Sequence, residues 1–234
     1  MIWSTFQERI FEEIQLSEEN LIIKGVAGCG KTTTIEEIAR RLPSTKHVVF
    51  LAFNKSIAQE LAIQLPEIKC VTFHALGYEM IRNNLGYRKV NGRKISNLLR
   101  FEYLNWNTED AETKKVVNNN IDSVERIIAI CKGSMFTEQK TLKHSLVQEV
   151  SARWETIASE YCVDTPNIEF LKSTIPAIFE LSITKTQTID FNDMLYYPIL
   201  FDWEFPVFDY VIVDECQDLN AIQREYVLRL SGNK

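Results

Sequence analysis

Gly25-Val26-Ala27-Gly28-Cys29-Gly30-Lys31-Thr32 spells G-x-x-x-x-G-K-T, a complete phosphate-binding loop. Its glycines let backbone N–H groups close on polyphosphate oxygens, and Lys31 is placed to reach the β- and γ-phosphates. The flanking sequence suits the loop. Leu21-Ile22-Ile23 is an apolar run of strand length, expected to lead into Gly25. Between Lys31 and Leu42, apolar residues at 35, 38, 39 and 42 follow a helical spacing, and Pro43 stops the run. Strand, glycine loop and helix N-terminus therefore line up, and the helix dipole adds to the attraction for phosphate.

Far downstream, Tyr210-Val211-Ile212-Val213 delivers Asp214-Glu215-Cys216-Gln217-Asp218. A strand ending in this way presents a Mg²⁺-binding carboxylate, Asp214, beside a candidate base, Glu215. The two motifs are the two halves of a nucleoside triphosphatase site.

The bulk numbers fit a globular chain. Its 234 residues can hold one large domain or a core with a smaller insertion, and 45% hydrophobic with 25% charged content is ordinary for a folded protein. No apolar run reaches membrane-spanning length, and the N-terminus lacks a signal-peptide layout, so neither a membrane partner nor secretion is expected. Five cysteines lie at 29, 70, 131, 162 and 216 without metal-ligand spacing, and two of them sit inside the nucleotide motifs. Reduced thiols in a cytoplasmic or nucleoid-associated setting are the natural expectation. The net charge of −6 argues against wholesale coating of nucleic acid but leaves room for a local path. Between Met80 and Phe101 no acidic residue occurs, while Arg82, Arg88, Lys89, Arg93, Lys94 and Arg100 do. This run suits a solvated basic surface and a phosphate-contacting patch equally well.

Short apolar strands alternate with helices from Leu21 to Phe73, the signature of a parallel sheet wrapped by helices. Residues 95–186 read instead as successive helices, and strand character returns at Tyr210–Val213. The expected architecture is an α/β core of residues 1–84 and 185–234, interrupted by a helical insertion over 85–184.

Three further segments complete the pattern: Phe50-Leu51-Ala52-Phe53-Asn54-Lys55-Ser56-Ile57-Ala58, Val71-Thr72-Phe73-His74-Ala75-Leu76 and Ile189-Asp190-Phe191-Asn192-Asp193-Met194-Leu195. In this order, with Gln7 ahead of the loop, the chain resembles the N-terminal half of a superfamily 1 DNA helicase of the UvrD/Rep type. The resemblance implies a RecA-like sheet with helices on both faces and ATP hydrolysis coupled to 3′–5′ movement on single-stranded DNA. It implies that Gln7 reads the adenine edge and that Gly25, Val26, Ala27, Gly28, Cys29, Gly30, Lys31, Thr32 and Thr33 hold ATP. By the same resemblance Thr32 and Asp214 hold Mg²⁺, Glu215 activates water and Gln217 couples the γ-phosphate to the rest of the machine. Phe53, Asn54 and Lys55, and Thr72, Phe73 and His74, fall where family members touch single-stranded DNA. Such positions lie at the C-terminal ends of parallel strands, and aromatics beside polar residues suit stacking and phosphate contact.

Several of these residues carry a plainer reading too. Phe53 and Phe73 suit core packing, His74 suits a structural histidine, and Gln7 suits an exposed helix. Asp190 and Asp193 read as helix-capping and surface carboxylates rather than metal ligands. A non-catalytic module that binds ATP and single-stranded DNA, or another P-loop phosphotransferase, would share the loop. The family continues into a strand carrying G-D-x-x-Q and a second motor domain, neither of which is present. The expectation is thus a truncated or split product, with a central sheet left incomplete and a second polypeptide as a partner.

Overall fold

A computed structural model describes residues 2–17, 19–26, 28–134 and 143–232. Along the chain run α1 (Thr5–Leu16), α2 (Lys31–Arg41), β1 (Val48–Ala52), α3 (Lys55–Gln64), β2 (Lys69–Thr72) and α4 (Phe73–Leu85). Next come β3 (Lys89–Val90), α5 (Lys94–Asn97), a π-helical turn at Leu98–Tyr103, α6 (Ala111–Ser134), α7 (Lys143–Glu160) and α8 (Ile168–Thr184). The last elements are β4 (Thr188–Ile189), α9 (Phe191–Leu200), β5 (Tyr210–Val213), a 3₁₀ turn at Cys216–Asp218 and α10 (Ala221–Leu230). Among the described residues no helix is long and apolar enough to cross a membrane.

The chain divides into two compact units. The first comprises 1–73, 205–219 and 225–234, the second 74–204 and 220–224.

The first unit is built on a parallel sheet of order β2-β1-β5. Val48-Val49-Phe50-Leu51-Ala52 is buried at every position, as a central strand covered on both faces must be. Alternate residues of a strand face opposite ways. On one face Phe50 and Ala52 pack with Ile35 and Ala39 of α2 and with Ala58 and Leu61 of α3, and Ile212 of β5 joins them. Burial of a side chain such as Phe50 stabilises by about 1.5–3 kcal/mol. Beyond the sheet, Tyr226 is fully buried, edge-on to Phe73 at 6.3 Å and to Phe205 at 4.9 Å between ring centroids.

The strand expected at Leu21–Ile23 does not form. These residues carry no regular structure, and Leu21 and Ile22 are 46% and 69% exposed. A strand exists by pairing its backbone groups with a neighbour. Among the described residues the sheet ends at β5, which leaves Leu21–Ile23 without a strand to pair with.

The second unit is a helical assembly, as the 95–186 pattern indicates. Val124, Ile127 and Ile128 of α6, Trp154 of α7 and Ile175, Ile178 and Phe179 of α8 are buried in its core. A two-residue parallel ladder joins β3 to β4, pairing Lys89 with Thr188 and Val90 with Ile189.

Candidate functional site

The phosphate loop is shaped by its glycines. Gly28 and Gly30 adopt φ of +75° and +83°, a left-handed conformation that side chains disfavour. A Cβ on Gly25 would stand 2.5 Å from Cys29 Sγ and 3.3 Å from Lys31 Cγ, so only glycine lets the loop fold over itself. Lys31 Nζ turns back to donate to Gly25 O at 3.3 Å. Gly30 caps α2 with no side chain in the way, which leaves the first N–H groups of the helix directed outward. Val26, Gly28, Cys29 and Thr32 are exposed, and Lys31 and Thr33 half-buried. Ala27 lies outside the described residues.

Gln7 is tied to this loop by a path that the sequence reading missed. Its Oε1 accepts from Ser4 N and Ser4 Oγ, each at 3.0 Å, within a capping box that starts α1. Its Nε2 donates to Thr34 Oγ1 at 2.9 Å, and Thr34 Oγ1 donates in turn to Gly30 O at 2.8 Å. Thr34 is thus the link between Gln7 and the loop backbone. The S-x-x-Q spacing from Ser4 to Gln7 was the available signal.

The acidic motif follows β5 directly. Asp214 is 8% exposed; its N–H reaches Leu51 O at 3.3 Å, and its Oδ1 accepts from Glu215 N at 3.0 Å. Glu215 sits at φ +51°, a left-handed conformation costing roughly 1 kcal/mol for a non-glycine residue. Its Oε2 accepts from Gln217 Nε2 at 2.7 Å. Gln217 Nε2 also donates to Asp218 Oδ2 at 3.3 Å, so the side chains of the motif are linked to one another. Thr32 and Asp214 offer a hydroxyl and a carboxylate, the hard oxygen donors that Mg²⁺ takes.

The parallel register sets three segments at one end of the sheet. Ala52 pairs with Thr72, and Leu51 with both Val71 and Val213. Phe53-Asn54-Lys55, Thr72 and Asp214 therefore emerge together, at the C-terminal strand ends where such sheets bind ligands. Phe53 is 62% exposed. Asn54 caps α3 through Oδ1, which accepts from Ile57 N at 2.9 Å, so part of its side chain is structural. Phe73 is buried against Tyr226, which makes its ring core rather than a surface for bases.

In the second unit, His74 lies edge-on to Phe191, with 6.4 Å between ring centroids. Burial pushes the His74 pKa below the ordinary histidine value. Phe191, on the first turn of α9, is 58% exposed. Its neighbours correct the sequence reading. Asp190 and Asp193 do cap α9, but as buried groups rather than surface carboxylates. The basic run is also not one surface. Lys94 is buried on Asp193, and Arg100 stacks 4.8 Å over the Trp106 ring. No sequence signal links Lys94 to Asp193, 99 residues on; the fold brings them together.

A protein-family model described as an AAA domain matches residues 7–232. No curated protein matches the chain.

Proposed function

Because the chain belongs to this AAA domain family, a P-loop nucleotide-binding group, we propose that it is the ATP-binding portion of a DNA helicase or translocase of the UvrD/Rep type. What supports this reading above all is the shared strand end, which gathers Phe53-Asn54-Lys55, Thr72 and Asp214 at one edge of the sheet. A kinase acting on a small molecule would have no use for an exposed Phe-Asn-Lys beside its metal-binding acid.

In this reading the N–H groups at the start of α2 and the loop cradle the phosphates, and Lys31 leaves Gly25 O to meet the γ-phosphate. Gln7, held by Ser4 and Thr34, meets the adenine edge. Thr32 and Asp214 would hold Mg²⁺, which would supply positive charge to offset that of the phosphates. Glu215 takes the proton from the attacking water, and Gln217 senses the γ-phosphate through its contact with Glu215. Phe53, Lys55 and Thr72 meet single-stranded DNA, as do His74 with Phe191 in the second unit, by stacking and phosphate contact. Hydrolysis is coupled to 3′–5′ movement only together with a second motor domain, since movement needs two bodies that close and open around ATP.

The test is ATP hydrolysis with and without oligo(dT). Stimulation by the oligonucleotide that is lost in Phe53→Ala supports the reading. ATP binding without any turnover would favour a non-catalytic module that binds ATP and DNA.

A further inference from the structure

Four charged side chains, Lys94, Lys132, Asp190 and Asp193, are buried together beneath the turn that carries Phe191. We infer that two of them, Lys94 and Lys132, are positioning residues for DNA contact: through the carboxylates of Asp193 and Asp190 they fix the first turn of α9, and with it the Phe191 ring against His74. This inference rests on His74 and Phe191 being strand contacts, as proposed above.

The geometry is complete on every side. Asp193 Oδ2 accepts from Lys94 Nζ at 2.8 Å, and its Oδ1 accepts from Lys132 Nζ at 2.6 Å. Lys132 Nζ also reaches Asp190 Oδ2 at 3.4 Å. Lys94 Nζ makes two further bonds, to Ser182 O at 2.8 Å and to Tyr197 Oη at 2.7 Å. All four groups are buried, and their two positive and two negative formal charges cancel. Burial pushes Lys94 below the ordinary lysine range. For Lys132, burial opposes the charge but Asp193 and then Asp190 outweigh it and hold the ammonium up.

The same two carboxylates form the capping box of α9. Asp193 N donates to Asp190 Oδ1 at 2.8 Å, and Asp190 N to Asp193 Oδ2 at 3.0 Å. A helix start needs only one neutral oxygen for its cap. The capping box of α1, from Ser4 and Gln7, works at the surface with no ion pair. Two buried lysines are therefore more than the cap of α9 requires. Stability is also a weak reason for them, because well-packed apolar side chains often replace buried ion pairs without loss. On our inference, what these pairs supply here is a single fixed arrangement of the turn.

The arrangement acts on one residue. On the N-terminal side the turn is held by the β3–β4 ladder, where Asn91 N donates to Ile189 O at 2.8 Å. On the C-terminal side it is held by Lys94 from α5 and Lys132 from α6. Between these clamps Phe191 is the ring left facing solvent, flanked by the buried Asp190 and, two residues on, Asp193. A stacking contact is sensitive to ring orientation, and this turn is held by hydrogen bonds from three other elements, β3–β4, α5 and α6.

The test is a double-mutant cycle on oligo(dT) affinity. Lys132→Met/Asp190→Asn removes one charge of each sign and keeps an Asn oxygen as the cap, so the remaining Lys94–Asp193 pair stays balanced. It should weaken binding by about 5-fold, the low end of what one stacked base contributes, and should cost nothing further once Phe191→Ala is present. An equal loss in the Phe191→Ala background, or no loss at all, overturns the positioning role. If Phe191→Ala and His74→Ala each leave affinity unchanged, the underlying assignment of strand contacts falls, and this inference with it. Amide exchange in the wild-type protein gives a check that does not depend on a variant folding: the Asp193 amide should exchange among the slowest of the second unit, and fast exchange would contradict a locked turn.

Discussion

Gln7 and Thr34, far apart in sequence, are joined by a 2.9 Å hydrogen bond from the Gln7 amide to the Thr34 hydroxyl. Thr34 stands on the first turn of α2 and donates to Gly30 O, so this bond hangs the base-reading candidate on the backbone that holds phosphate. Gln7→Ala should therefore lower ATP affinity and also reduce the preference for ATP over GTP. Competition binding with the two nucleotides checks both effects. Weaker ATP binding with unchanged selectivity would make Gln7 a brace for the loop and nothing more.

Thiol chemistry offers a second check on the loop. Cys29 is exposed over Gly25, Cys162 and Cys216 are exposed, and burial pushes the Cys131 thiol up to about 12. A maleimide reagent at neutral pH should label Cys29, Cys162 and Cys216 and spare Cys131 in the native protein. MgATP should protect Cys29 and leave Cys162 unchanged. Mass mapping of the labelled peptides reads both outcomes.

Much of the site was legible because its residues are contiguous. The loop from Gly25 to Thr32 and the Asp214–Asp218 motif each carry their chemistry in one short run, and the helix after Lys31 announces itself by spacing. Leu21–Ile23 shows the limit of that approach. Its composition is strand-like, yet pairing depends on a neighbour that composition does not reveal. Lys94 failed for a different reason: in sequence it is one of a basic run, and only the fold brings Asp193 to it. Phe73 and Phe53 look alike at their strand ends, but Tyr226, far along the chain, buries one and leaves the other exposed.

The Glu215 backbone is left-handed and its carboxylate is held by Gln217 at 2.7 Å. Glu215→Gln should keep ATP binding while lowering turnover by about 10²–10⁴, the usual contribution of a general base. Steady-state hydrolysis beside nucleotide titration separates the two. Loss of binding and turnover together would mean that Glu215 shapes the site rather than acting in it.

Burial holds the His74 ring neutral, with a folded pKa below the ordinary value of about 6.5. As pH falls through about 6.5, the unfolded chain takes up this proton before the folded one does, so His74 contributes a loss of stability from there down towards its folded pKa. Above that window it contributes none. His74→Gln should flatten this part of the stability profile, measured by thermal melting between pH 7 and pH 5. An NMR titration of the wild-type ring should place its midpoint below 6.5.

Everything in the proposed function depends on the loop at Gly25–Thr32 holding nucleotide. Lys31 Nζ is parked on Gly25 O and must leave it for a phosphate. The direct measurement is a calorimetric titration of ATP into the wild-type chain and into Lys31→Ala, each with and without Mg²⁺. Saturable binding by the wild type, tightened by Mg²⁺ and weakened at least tenfold in Lys31→Ala, is the predicted result, the tenfold corresponding to about 1.4 kcal/mol. Equal affinity for the two proteins, or no binding by the wild type, would contradict it.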